Sequence, residues 1–100
     1  MPTRGDARTR TIADLKARKP FKRPGFGMWA TTNPHDVGFG WLSKDDLETF
    51  QAARQAGFIT YVVMSYDTPI GWVLNDTTKV VPNAKYSVAT SQHQGLLGYV

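Results

Sequence analysis

The spacing of apolar side chains changes twice along this chain. Up to residue 24 large apolar groups are sparse, and Ile12 and Leu15 share one helical face behind Thr11 and Asp14, which have the T-x-x-D spacing of a capping box. A short helix is expected near residues 11–19, ended by Pro20 and Pro24. One apolar pair cannot hold so short a helix alone, so it docks or frays. Residues 26–41, FGMWATTNPHDVGFGW, then mix glycine and proline with Phe26, Met28, Trp29, Phe39 and Trp41. Breakers among large apolar groups predict an ordered irregular segment pinned to the body.

From Ser43 to Gly57 the period becomes helical. Ser43 and Asp46 form a second capping box, Leu42 and Leu47 a hydrophobic staple, and Asp45, Asp46 and Glu48 suit the positive end of the helix dipole. Leu47, Phe50, Ala53 and Ala56 supply the buried face, and Gly57 the left-handed stop. Beyond Phe58 the pattern turns to strands. FITYVVMSY is apolar on both alternating sets, as in a strand buried on both faces. Turns at Asp67-Thr68-Pro69, Asn75-Asp76-Thr77 and Pro82-Asn83 separate it from strands at residues 70–74, 78–81 and 85–88. Gly71 in mid-strand predicts an aromatic ring lying across it, from Tyr61 or Tyr86. The expected fold is α+β: one helix on a small antiparallel sheet of three to four strands, residues 25–100, preceded by an arm, residues 1–24.

Charge sets the arm apart. It holds eight basic groups (Arg4, Arg8, Arg10, Lys16, Arg18, Lys19, Lys22, Arg23) against Asp6 and Asp14, a balance of +6. Residues 25–100 carry four basic and six acidic side chains, a balance of −2. With 100 residues, 41% of them hydrophobic, the chain has material for one core. It has no cysteine, which excludes disulfides and thiolate metal sites. No apolar run approaches the ~20 residues of a membrane span, and no apolar stretch follows the basic start as in a secretory signal. A cytoplasmic protein without membrane partners is therefore expected.

Candidate chemistry is scarce. Thr90, Ser91, His93 and Gln94 bring hydroxyls and an imidazole together, but Ser91 and Gln94 have capping-box spacing. On a helix Ser91 and His93 diverge by roughly 200°, too far for a nucleophile and its base. A small hydrolase using His93 stays as the weaker alternative. His35, Asp36 and His93 are the available zinc ligands, and their spacing fits a turn with a surface histidine better. The glycines at 25, 27, 38 and 40 precede no phosphate-binding helix. No catalytic residue, metal or cofactor is assigned, and no enzymatic activity is expected.

Binding is the better expectation. Arg8, Arg10, Lys16, Arg18, Lys19, Lys22 and Arg23 would attract an acidic partner or, as the alternative, DNA or RNA without sequence preference. Phe26, Met28, Trp29 and Phe39 would supply shape-specific contacts from the irregular segment. A sheet so small leaves two edges guarded only by Lys79 and Lys85, through which a homodimer can form.

Three segments, TIADLKARKPF, SYDTPIGWV and KYSVATSQHQGLL, resemble a family of small proteins encoded by actinobacterial phages and prophages. Its members carry a Y-x-T-P-I-x-W strand, an S-V-T-T-S-x-H-Q ending and a short I-A-D-L arm. Ala89 stands where that family usually has threonine, which favours a cap over a reactive site at the ending. The resemblance implies a cytoplasmic, non-structural phage accessory protein that binds a host or phage macromolecule, and it implies no reaction.

Overall fold

The computed structural model describes residues 4–40, 42–82 and 93–100, with residues 4–7 in backbone only. Helix α1 (Arg4–Lys16) leads into the short strand β1 (Phe21–Arg23), followed by β2 (Met28–Thr31). A 3-10 turn at Pro34–Asp36 and helix α2 (Lys44–Gln55) precede β3 (Ile59–Ser65), β4 (Thr68–Leu74) and β5 (Thr78–Val80). A second 3-10 turn, Leu96–Tyr99, lies near the C-terminus. The strands form one antiparallel sheet in the order β1-β2-β3-β4-β5. The α+β class is as the pattern predicts.

Both faces of the sheet are covered, because β3 and β4 are apolar on both. Tyr61, Val63 and Val73 face a core closed by Leu15 of α1, Phe21, and Leu96 and Leu97. Val62, Met64 and Trp72 face a second core closed by Phe50 and Ala53 of α2 with Val37. Phe50 meets Trp72 edge to face, with ring centroids 4.9 Å apart. α2 starts as its sequence dictates: Ser43 Oγ accepts from the Asp46 N–H at 3.3 Å and donates to the Asp46 carboxylate at 2.9 Å. Gly57 then takes φ +77°, the left-handed stop.

Several expectations are corrected. The sheet has five strands among the described residues, because the arm and the glycine-containing segment each contribute one. Phe21 pairs with Ala30 and Trp29 with Met64, so this ribbon extends the sheet where an irregular wrap was expected. Gly27 (φ +74°) makes the tight connection. α1 begins at Arg4, well before the expected start, so Thr11 is a buried interior residue and no cap. The helix stops when Arg18 adopts φ 51° and the Lys19 N–H donates back to the Asp14 carbonyl at 2.9 Å, a Schellman closure.

The β3–β4 turn falls at Tyr66-Asp67, and Thr68 and Pro69 belong to β4. Pro69 is tolerated because β5 reaches only Trp72 to Leu74, so its missing N–H costs no ladder bond on that side. Across Gly71 lies the aliphatic Leu97, not an aromatic ring: a Cβ there would stand 2.9 Å from Leu97 Cδ1. The strand expected at 85–88, Trp41, and the caps at Thr90 and Ser91 lie outside the described residues. No described helix is long and apolar enough to cross a membrane.

Candidate functional site

The arm's cations are distributed unevenly. Arg8 and Arg10 are exposed on α1. Lys16 stands 5.5 Å above the Tyr99 ring, and the Arg18 guanidinium donates to the Asp76 carbonyl. The Lys19 carbonyl accepts from the Tyr61 hydroxyl at 2.7 Å, which leaves the Lys19 ammonium at the surface. Burial, and secondarily the Asp14 charge, raises the Tyr61 phenol far above its ordinary pKa, so it remains a donor at any working pH. Arg23 forms an ion pair with Asp14 at 2.6 Å, on the α1 side of the sheet. Lys22 points to the opposite side, with its ammonium 5.9 Å from the Trp29 ring.

The apolar candidates also separate. Met28 is buried in the α1-side core. Phe39 packs on Phe50 and under the Arg54 guanidinium, 4.7 Å away, and so serves α2. Phe26 lies against the His93 imidazole, ring centroids 5.2 Å apart. Trp29 is partly exposed, and its Nε1–H donates to the Tyr66 carbonyl at 2.8 Å.

Around Trp29 the structure forms a groove. One pocket, about 310 Å³ and largely apolar, is lined by Lys22, Arg23, Pro24, Gly27, Met28, Trp29 and Tyr66. A second, about 530 Å³ and more polar, shares Lys22 and Trp29 and runs on past Pro20 and Thr31 to Asp36. Together they follow the β1–β2 ribbon on the face where Lys22 projects. Tyr66 is the residue that sequence reasoning missed. It is 58% exposed yet held at φ 53°, a left-handed conformation that costs a bulky side chain about 1–3 kcal/mol. Its N–H donates to the Gly27 carbonyl at 2.8 Å, and its ring covers Gly27 so closely that a Cβ there would come within 2.4 Å of it. A large, exposed, strained aromatic has no packing reason to be retained at a turn where glycine is the favoured residue. The sequence signal was present in S-Y-D, a bulky residue at a hairpin turn.

Behind Tyr66 sits a sealed polar pair. The Ser65 hydroxyl and His93 Nδ1 are 2.7 Å apart, with the residues only 1% and 5% exposed. His93 also hydrogen-bonds the backbone of Phe26, and Tyr66 covers it at 6.0 Å between ring centroids. Burial lowers the His93 pKa below its usual 6.5, against the opposing effect of that backbone bond. The pair therefore joins a serine and a neutral histidine, but with the hydroxyl closed to solvent and a backbone group in the orienting position. His35 is exposed beside Gln51, Arg54 and Gln55, far in sequence and role from His93. Among the described residues no cluster of histidine and carboxylate can hold a metal ion.

Comparison with known families adds one result. A family of unknown function, DUF8033, matches residues 28–98. The chain belongs to this family. The matched stretch holds Met28, Trp29, Tyr66, Ser65 and His93, while α1, β1 and Lys22 precede it. Neither a curated protein nor a solved structure matches the chain.

Proposed function

We propose that this chain is a non-enzymatic binding protein that engages another protein through the Lys22–Trp29–Tyr66 groove. The observation that carries this reading is Tyr66, an exposed aromatic kept in a costly backbone conformation beside an apolar pocket. The resemblance of SYDTPIGWV and KYSVATSQHQGLL to actinobacterial phage proteins supports the wider setting, an accessory protein acting in the host cytoplasm. Its partner there is a host or phage macromolecule. A hydrolase acting through His93 is disfavoured because the hydroxyl beside that imidazole is buried.

Affinity capture from host lysate, with and without nuclease, tests the reading. A nuclease-resistant protein retained by the wild-type chain and lost with Tyr66→Gly and Lys22→Glu is expected. Retention that ignores both substitutions overturns the groove's role. Exposed Arg8 and Arg10 favour one rival, sequence-independent nucleic-acid binding. That rival requires affinity for random DNA that collapses with added salt and depends on those arginines.

A further inference from the structure

If the Lys22–Trp29–Tyr66 groove is the binding surface, its shape and charge pattern specify the occupant more closely. The groove runs along β1, an edge strand that pairs only with β2 among the described residues. Such an edge, next to a groove with pockets for side chains, suits an extended segment laid alongside it. The two pockets differ in character. The pocket at the Tyr66 end, walled by Pro24, Met28, Trp29 and Tyr66, takes one large apolar side chain. Its neighbour is open and polar, with the Asp36 carboxylate at the far end. Lys22 stands between them, lining both.

Charge argues against a nucleic-acid strand here. Arg23 lines the first pocket, but its guanidinium is turned to Asp14 on the other face of the sheet. Arg18 is tied to the Asp76 carbonyl. One ammonium therefore faces the groove, and Asp36 would repel a phosphate backbone running its length. A single carboxylate matched to Lys22 fits better.

We infer that the groove binds an extended segment of a partner protein in which an acidic residue adjoins a large apolar or aromatic one, the carboxylate meeting Lys22 and the apolar side chain filling the Tyr66 pocket. Specificity comes from the pairing of Lys22 with the neighbouring apolar pocket, and the order of the two residues in the segment is fixed by the side on which Lys22 stands.

Panning a yeast-displayed library of short random peptides against the full chain tests this. Expected is convergence on sequences with Asp or Glu beside a large apolar residue. Lys22→Glu should weaken those peptides about tenfold and shift newly selected sequences from acidic to basic. Tyr66→Gly should abolish their binding while the melting temperature stays close to wild type, since glycine relieves the left-handed strain. No convergence, or peptides indifferent to both substitutions, overturns the inference. So does binding of a single-stranded oligonucleotide that both variants lose, or a homodimer that Tyr66→Gly disperses, because either gives the groove another occupant. Failure of the library alongside a captured protein lost with Tyr66→Gly would leave the groove's binding role standing and remove only the extended-segment inference.

Discussion

His93 shows how one buried side chain ties stability to pH. Its folded pKa lies below the usual 6.5, so the unfolded chain binds the proton more readily. The stability this burial allows is complete above pH 6.5 and declines as pH falls below it, until the folded imidazole also titrates. Urea denaturation at pH 7.5 and 5.5 should show a lower midpoint at the acid value, and His93→Gln should reduce the difference. At the β4–β5 turn, Asn75 and Asp76 both take positive φ (53° and 60°), and the Thr77 N–H closes on the Leu74 carbonyl at 3.0 Å, a type I′ turn. Asp76→Gly should therefore stabilise the fold by about 0.5–1 kcal/mol in the same assay. Tyr61→Phe should destabilise by about 1–3 kcal/mol, because it leaves the Lys19 carbonyl without its donor. Two buried nitrogens, Arg23 Nε and Trp72 Nε1, have no partner among the described residues. For Trp72 the edge-to-face contact with Phe50 partly offsets that cost.

Among elements, α1 and β1 decide whether the basic segment is an appendage or a wall. Leu15 is fully buried beneath Leu96 and Leu97, and Phe21 joins the same core. Leu15→Ala should cost about 2–5 kcal/mol by equilibrium denaturation, and deletion of residues 1–24 should broaden or abolish the folding transition. A tail would show neither effect. The sequence made α2, β3, β4 and β5 legible because each carried its own period, cap or turn residues. It did not reveal β1 and β2, since Phe21-Lys22-Arg23 and Met28-Trp29-Ala30-Thr31 are too short to show a period and become strands only by pairing with each other and with β3. The early start of α1 was hidden for a similar reason. Its first turns lack apolar residues, so periodicity gave them no face to register.

For the whole molecule, charge counted along the sequence overstated what the surface presents. Of the seven cations assigned to binding, Arg18 and Arg23 are engaged within the fold, and Lys22 alone lines the groove. Sequence did single out Lys22 and Trp29, but the groove itself needs Tyr66, brought from the β3–β4 turn by long-range pairing. Random duplex DNA at physiological salt should accordingly bind weakly, with a shallow salt dependence, in a fluorescence-anisotropy titration. The order of strands in the sheet has a consequence of another kind. Each strand lies beside the one that precedes it in the chain, so no strand must wait for a later one to be inserted between neighbours. A ribosome releasing this chain would lay down the sheet from one side to the other, every newly emerged strand meeting a template already in place.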